Sequence, residues 1–295
     1  MSTGHQYVAG DQGIVTEQFF GDRIIRFLYC QVRESSPSLF QLATSRRVTQ
    51  LMGALNFDLP IAAKLLGSKR FLRSCGVTLD DCVEPPEHFD TPRKIFERQI
   101  RYWDSRPMDE DPNLVVSPAD ARVLLGSLDQ SSMMWIKDKL FSLPELLDTD
   151  ADHESSPGSP PRAWSHELTG GDFAVFRLTP EKYHYNHTPV AGRVVDFYDI
   201  TGTYHSCHPD AVIELVTPFS KNRRVVTIID TDVPGGTGIG LVAMVEVVAL
   251  MIGEVVQRYS SRAYESPQPM AIGGFLKRGQ PKSLFRPGSS TVVLV

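Results

Sequence analysis

Residues 224–249 read RVVTIIDTDVPGGTGIGLVAMVEVVA, and this stretch decides the fold. The run that begins at Arg224 and the run that begins at Leu241 are apolar and β-branched, which is typical of buried strands. The glycine-rich segment between them, GGTGIG (235–240), invites interpretation as a phosphate-binding loop. It lacks the GK[ST] ending of a P-loop and the βαβ setting of GxGxxG. Its composition favours the other interpretation, a hairpin loop between two strands.

Short β-branched runs separated by turn residues recur throughout the chain after Pro112. They predict further strands in LVVSP (114–118), ARVLLG (121–126), GRVVDFY (192–198) and TVVLV (291–295). The segment from about 148 to 165 is rich in Ser, Pro, Asp and Gly, which predicts a flexible surface loop within this half of the chain. We therefore expect the second part of the chain to be mostly sheet.

The first third of the chain has a different periodicity, because its apolar residues recur three and four positions apart. Helices are predicted in EQFFGDRIIRFLY (17–29), after the turn SSPS (35–38), in RVTQLMGAL (47–55), near 61–75, and from the N-cap Thr91 and first-turn Pro92 through Phe96 and Ile100. The chain as a whole predicts an α+β fold. A helical N-terminal region (1–105) is expected to pack on a mainly antiparallel β domain (106–295).

Composition narrows the class of protein. Apolar residues make up 41% and charged residues 22% of the 295 residues, as in folded globular proteins. The net charge of -5 argues against a nucleic-acid binder, which usually presents a net basic face. The four cysteines form no CxxC pair, so neither a zinc knuckle nor a disulfide framework is indicated. No apolar run is long enough for a transmembrane helix, and the polar N-terminus has no secretory h-region.

Four segments could carry chemistry, and none is decisive alone. YHYNH (183–187) holds His184 and His187, while a second His-x-x-His pair lies at 205–208; such a pair is half of a metal site at most, and no partner motif is visible. Asp120 lies in SPAD (117–120), a turn between predicted strands, where aspartate is common for structural reasons. The run GSST (288–291) is a turn opening into the last predicted strand and supplies Ser289 and Ser290.

Taken in order along the chain, these pieces resemble the phosphatidylserine decarboxylase family. The resemblance spans nearly the whole chain and rests on FGD (20–22), VSPADAR (116–122), IK (136–137) with SLPELL (142–147), YHYNHTPVAG (183–192) and the closing serine run. An aspartate, a histidine pair and a serine in this order, with these neighbours, form a specific combination.

The resemblance implies a self-cleaving enzyme whose cofactor is a pyruvoyl group made from its own serine. In that family the serine attacks the preceding carbonyl carbon, the resulting ester eliminates, and hydrolysis of the new N-terminus leaves the pyruvoyl group, without a metal. Asp120 then matches the orienting carboxylate, His187 the base, and His184 the residue implicated in decarboxylation. The pyruvoyl ketone forms a Schiff base with phosphatidylserine, which becomes phosphatidylethanolamine as CO2 leaves.

The chain departs from the family at the serine itself. Counting back from TVV (291–293) assigns the pyruvoyl precursor to Ser290, whereas keeping a Gly-Ser scissile bond selects Ser289; register favours Ser290. The family's PADG turn reads PADA here, and Thr188 stands where a hydrophobic residue is more usual, which bears on the substrate pocket. The chain ends at Val295 inside an expected strand, and we expect the natural protein to continue.

The resemblance also sets the expected partners. They are a phospholipid at the cytoplasmic side of a membrane, which the protein meets peripherally, the two fragments of the cleaved chain, and a second copy in a homodimer. The membrane contact could come from Phe19, Phe20, Ile24, Phe27 and Leu28 with Arg23, Arg26 and Arg33, or this face could pack inside the protein. Two alternatives stay open: a decarboxylase of a soluble amino acid, and an unprocessed homologue that serves as a binding protein.

Overall fold

The computed structural model describes most of the second part of the chain and fragments of the first. The described residues are 6–8, 13–16, 31–45, 47–48, 51, 76–128, 133–136, 139–148, 164–179, 181–204, 221–249, 254–286 and 290–295. The predicted helices at 17–29 and near 61–75, most of the one at 47–55, the proposed membrane-contact residues other than Arg33, and the pair His205/His208 lie outside them.

Strands dominate the described part of the chain. The helices are α1 (Arg33–Ser35), α2 (Pro37–Ala43), α3 (Pro92–Phe96), α4 (Tyr102–Ser105), α5 (Leu143–Leu147) and α6 (Trp164–Glu167), with a 3-10 turn at Pro86–His88. The strands are β1 (Gln6–Val8), β2 (Ile14–Thr16), β3 (Arg122–Ser127), β4 (Met133–Ile136), β5 (Lys139–Ser142), β6 (Asp172–Leu178), β7 (Tyr185–His187), β8 (Gly192–Ile200), β9 (Arg224–Asp230), β10 (Leu241–Val247), β11 (Val255–Gln257), β12 (Phe275–Leu276), β13 (Pro281–Phe285) and β14 (Ser290–Leu294).

Two antiparallel sheets build the centre of the fold. The larger sheet has seven strands in the order β12-β8-β9-β10-β14-β6-β3, and the smaller has three in the order β11-β13-β7. Every neighbouring pair in both sheets is antiparallel. The α+β prediction with a mainly antiparallel sheet is confirmed, and β9 and β10 form the predicted hairpin around GGTGIG.

The larger sheet is covered on both faces, which explains why its central strands are almost continuously apolar. On one face, Leu146 and Leu147 of α5 pack with Val226, Val245 and Val293. On the other face, Met244 and Val292 pack with Val255 and Phe285 of the smaller sheet. Side chains that alternate along β10 and β14 therefore enter two different cores.

Three local predictions are wrong or only partly right. Residues 114–118 form no strand: Val116 N–H donates to the Pro189 carbonyl and His187 N–H to the Pro118 carbonyl, but both prolines lack the N–H that would continue a ladder. The helix capped by the Thr91 side chain ends at Phe96, short of Ile100. The loop predicted to 165 ends earlier, because α6 begins at Trp164, while residues 149–163 lie outside the described part.

The division of the chain near residue 105 stays a prediction. One hydrophobic cluster spans that point, since Ile95, Ile100 and Tyr102 pack with Tyr185 of β7 and Leu284 of β13. The segment before residue 105 therefore touches β7, the strand that contains His187 and directly follows His184.

Candidate active site

Strand β7 gathers the candidate residues. It pairs with β13 through Tyr185, Asn186 and His187. On its other side, the His187 N–H donates to the Pro118 carbonyl at 2.7 Å, which docks the turn carrying Asp120 against the strand. This short strand is wholly buried, so the position of His187 is fixed by packing.

His187 has both ring nitrogens engaged. Nδ1 lies 2.7 Å from the Gly279 carbonyl oxygen, which can only accept, so Nδ1 carries the hydrogen. Nε2 therefore presents its lone pair, and the Tyr183 hydroxyl donates to it at 3.0 Å. The ring is 4% exposed, and burial lowers the pKa of His187 to about 4, with the Gly279 hydrogen bond opposing the shift. The ring is accordingly neutral near pH 7, which suits a base.

Aromatic side chains surround His187. The Tyr102 ring meets it edge-on at a centroid distance of 4.6 Å. The Tyr183 hydroxyl also lies 2.7 Å from that of Tyr264, which in turn lies 2.9 Å from the Ile100 carbonyl oxygen. Burial raises the pKa of Tyr183 well above its usual value, so this phenol stays protonated and remains a donor. Any new partner for Nε2 has to displace Tyr183.

His184 is in a different environment, although it is only three positions away. It is fully buried and stacks on Phe96, with ring centroids 3.6 Å apart and planes inclined by 27°. Neither ring nitrogen reaches a hydrogen-bond partner in the described part of the chain, although the Lys182 carbonyl lies near enough to favour protonation slightly. Burial, and then the positive charge of Arg98, hold the pKa of His184 well below its usual range.

Asp120 is held by cations rather than by His187. Its carboxylate accepts from Arg106 at 3.0 Å and lies 3.7 Å from Lys182 Nζ. Arg106 also contacts Asp81, so it sits between two carboxylates. Gly279, and not Asp120, occupies the Nδ1 side of His187 in this structure.

A cavity of about 570 Å³ joins Asp120 to His187. Its wall is formed by α4, the segment that follows α4 and the docked turn, and it includes Arg106, Met108, Val115, Asp120, Tyr183 and His187. Its size is within the range of small-molecule sites, and its lining combines apolar side chains with a few charged ones. The structure thus brings Asp120 and His187 to one cavity, while His184 lies outside its lining.

The two candidate serines are described unequally. Ser289 lies outside the described residues, whereas Ser290 is the first residue of β14 and pairs with Leu178 at the end of β6. Strand β13 leads towards it: the Phe285 N–H donates to the His184 carbonyl at 3.0 Å, and the chain reaches Ser290 five residues later. The next side chain, Thr291, is fully buried and its hydroxyl has no hydrogen-bond partner in the described part of the chain.

Several residues of this site were not assigned by the sequence. Tyr183 stands inside the quoted motif, but nothing in the motif indicates that its hydroxyl serves His187. Phe96 reads as an ordinary apolar residue of an amphipathic helix, and Gly279 contributes only its backbone. Thr188, whose departure from the family pattern bears on the substrate pocket, is fully buried, and its hydroxyl donates to the Lys277 carbonyl.

The described residues form neither a metal site nor a membrane-spanning helix. No group of three or more His, Cys, Asp or Glu side chains there is arranged to hold a metal ion. Across the same residues, the helices are too short or too polar to traverse a bilayer.

Comparison with known proteins agrees with the order of the motifs. The phosphatidylserine decarboxylase family model matches residues 93–295. The phosphatidylserine decarboxylase proenzyme of Bordetella petrii is 30% identical over 258 residues, covering 84% of this chain and 83% of the relative. The proenzyme of Ruminiclostridium cellulolyticum is 25% identical over 280 residues, or 95% of this chain and 82% of the relative.

A longer plant relative extends the comparison. Phosphatidylserine decarboxylase proenzyme 2 of Oryza sativa subsp. japonica is 30% identical over 223 residues, which is 74% of this chain but only 31% of the relative. The family match covers β3 to β14 together with α3 and α4, and so includes every candidate residue described above. This chain belongs to the phosphatidylserine decarboxylase family.

Proposed function

We propose that this chain is a self-cleaving, pyruvoyl-dependent decarboxylase that converts phosphatidylserine to phosphatidylethanolamine and CO2. The observation that carries the proposal is the neutral, buried His187 at the wall of a cavity, on the strand next to the one that leads to Ser290. The choice of phosphatidylserine as the substrate rests on the names of the relatives. The roles of single residues below are part of the proposal.

His187 is the proposed base for self-cleavage. Its neutral Nε2 takes the serine hydroxyl proton as the oxygen attacks the carbonyl carbon of the preceding residue. Because Nε2 accepts from Tyr183 in the uncleaved chain, the serine must take the place of that phenol. The peptide nitrogen takes that proton from His187 and leaves as the ester forms. Loss of the α-proton of the former serine then expels the carboxylate of the preceding residue, which breaks the chain. Hydrolysis of the new N-terminus releases ammonia.

Asp120 is the proposed carboxylate partner of His187. It lines the same cavity, and its ion pairs with Arg106 and Lys182 involve partly exposed side chains that exchange readily. Until that exchange, the Gly279 carbonyl fixes the ring orientation and the tautomer. Negative charge arriving beside the ring would favour the imidazolium that forms when the serine proton is taken.

The residues around Ser290 fit a pyruvoyl group made at that position, and Ser289 is the alternative precursor. The fit rests on buried polar atoms that have no partner in the described part of the chain, namely both ring nitrogens of His184 and the hydroxyl of Thr291. A pyruvoyl group held there would supply an electrophilic carbonyl that can bind the substrate amine and draw electrons from the α-carbon during the loss of CO2. His184, buried and close to β13, is the proposed carrier of the proton that replaces CO2, and its low pKa makes it a ready donor once protonated.

The lipid substrate implies a setting for the protein. We propose a homodimer that associates peripherally with the cytoplasmic side of a membrane, with the N-terminal region (1–105) supplying the contact. Sedimentation with vesicles of phosphatidylserine and phosphatidylcholine, compared with phosphatidylcholine alone, tests the association. Size-exclusion chromatography with light scattering tests the dimer.

The test of the function is CO2 release by the purified, cleaved protein. Phosphatidylserine vesicles and free amino acids, serine and tryptophan among them, are supplied separately. The proposal predicts release from the lipid, and loss of that release in Ser290→Ala. Release only from a free amino acid would replace the lipid with a soluble substrate, and an uncleaved chain without any turnover would indicate a binding protein.

A further inference from the structure

A second group of polar side chains lies between the two sheets, away from the cavity. We call it the carboxylate cluster: Asn186, Glu246, Gln257, Lys282 and Ser283. All except the half-buried Gln257 have no exposed surface. The proposed chemistry uses none of them.

Glu246 is the hub of the carboxylate cluster. Its Oε2 accepts from Lys282 Nζ at 2.7 Å and from Gln257 Nε2 at 2.8 Å. Its Oε1 accepts from Asn186 Nδ2 at 3.0 Å and from the Ser283 hydroxyl. Lys282 also donates to Gln257 Oε1 at 2.9 Å. Burial lowers the pKa of Lys282 and the Glu246 carboxylate raises it, as expected for an ammonium paired with a carboxylate.

The carboxylate cluster connects the strands that carry the proposed chemistry. Glu246 lies on β10, directly opposite Val292 of β14, two residues after Ser290. Asn186 lies on β7, between His184 and His187. Lys282 and Ser283 lie on β13, the neighbour of β7. A single carboxylate thus fixes β7 relative to β14, the strand that begins at Ser290.

Stability alone does not account for a buried ion pair at this place. The free energy needed to remove two charges from water is about as large as the free energy gained from their attraction. Apolar side chains of similar volume often give equal or greater stability. What the carboxylate cluster provides that apolar packing lacks is a directional link. Asn186 donates to Glu246 and to Ser283 at 3.0 Å each, so β7 cannot shift along or rotate about its axis without breaking them.

We propose that Glu246 and Asn186 are positioning residues for self-cleavage, which hold His187 in register with the serine strand. The inference rests on the proposed function, since it concerns the same reaction. Neither side chain touches the reacting atoms: their effect passes through the placement of β7 against β14. A misplacement of about 1 Å is enough to slow a positioned reaction by up to about a hundredfold.

The deciding experiment separates placement from stability. Each chain is made by cell-free translation, cleavage is followed over time by intact mass, and the melting temperature is measured in parallel. In Glu246→Leu/Lys282→Met both charges are replaced by apolar groups of similar volume. Because Glu246→Leu also takes the acceptor from Asn186, Gln257 and Ser283, we expect this variant to melt below the wild type. Assayed well below both melting temperatures, it should cleave between about tenfold and a hundredfold more slowly. Wild-type cleavage in the folded variant would overturn the inference.

Three companion variants complete the test. Glu246→Gln/Lys282→Gln removes both charges but keeps one amide oxygen at position 246, which can still accept from Asn186 and Ser283, and we expect it to recover most of the cleavage rate. Thr227→Val on β9, buried in the same sheet but outside the carboxylate cluster, should cleave as the wild type does. If the apolar double variant does not fold, Asn186→Ala decides, because it removes one neutral donor and leaves the ion pair intact; wild-type cleavage in Asn186→Ala overturns the inference.

The wild-type chain distinguishes the two levels of the account. A wild type that never cleaves removes the proposed function, and this inference with it. If the wild type cleaves and a folded Glu246→Leu/Lys282→Met variant cleaves at the same rate, this inference alone is overturned.

Discussion

Acidification should destabilise this protein through His187, and the size of the effect follows from its burial. Unfolded, the histidine has its ordinary pKa of 6.5, whereas in the folded chain burial lowers the pKa of His187 to about 4. Between these two pKa values, the histidine is protonated in the unfolded chain and neutral in the folded chain. The free energy of unfolding therefore falls as the pH falls through that window. Above it both states are neutral, and below it both are protonated.

The magnitude is bounded by the pKa shift. Each pKa unit corresponds to about 1.4 kcal/mol, so the full loss attributable to His187 is about 3 kcal/mol. At pH 4.5, within the window, about 2 kcal/mol of the free energy of unfolding should already be lost relative to pH 7. His184 adds to the loss in the same direction, since its pKa is also lowered.

His187→Asn isolates the contribution of His187 to this loss of stability. The asparagine amide can still donate to the Gly279 carbonyl, but it does not titrate. Urea denaturation at pH 7 and pH 4.5 gives the free energy of unfolding with and without His187→Asn, both in the Ser290→Ala background so that neither chain is cleaved. The chain that keeps His187 should lose about 2 kcal/mol more on acidification. His166→Asn, at an exposed position of α6, should leave this loss unchanged. Equal losses with and without His187→Asn would refute the assignment of a buried, neutral His187.

Three further substitutions test the surroundings of the site. Tyr183→Phe leaves Nε2 of His187 buried without its donor and should lower the free energy of unfolding by about 1–3 kcal/mol in urea denaturation; an unchanged value would contradict the bond. Phe96→Ala removes the ring that stacks on His184, and because Phe96 is only 1% exposed, it should lower the free energy of unfolding by about 3–5 kcal/mol in the same assay. Phe275 is 39% exposed, so Phe275→Ala should cost much less. Equal losses would contradict the packing of Phe96. Gly236→Ala places a methyl group on the Thr231 carbonyl oxygen within the β9–β10 loop and should lower the melting temperature in calorimetry, whereas full tolerance would mean that the loop is more open than described.

The strands of the larger sheet could be predicted because they are buried on both faces. Burial on two sides makes a strand apolar at most positions, and such runs at 224–229, 241–247 and 291–295 stand out between turn residues. Residues 114–118 are also rich in β-branched residues but form no strand, because Pro118 and, in the facing segment, Pro189 end the ladder. A propensity for strands does not reveal which backbone will be available as a partner.

The candidate site could be predicted only as a set of residue types. The order of Asp120, His184, His187 and the serine run indicated the family, and the structure places Asp120 and His187 on one cavity. The sequence could not show that a backbone carbonyl and a tyrosine hydroxyl would form hydrogen bonds with the ring nitrogens of His187, since neither contact depends on spacing within a motif. Nor could it show the carboxylate cluster, whose members come from four strands brought together only by the two sheets.

The most direct measurement of the central claim is the intact mass of the purified chain and of its Ser289→Ala and Ser290→Ala variants. Assignment of the processed residue to Ser290 predicts that wild type and Ser289→Ala each give two fragments, the smaller blocked at its N-terminus by a pyruvoyl group. Ser290→Ala should stay a single chain of 32.9 kDa. A wild type that remains a single chain would contradict the account, and cleavage abolished only by Ser289→Ala would move the pyruvoyl precursor to Ser289.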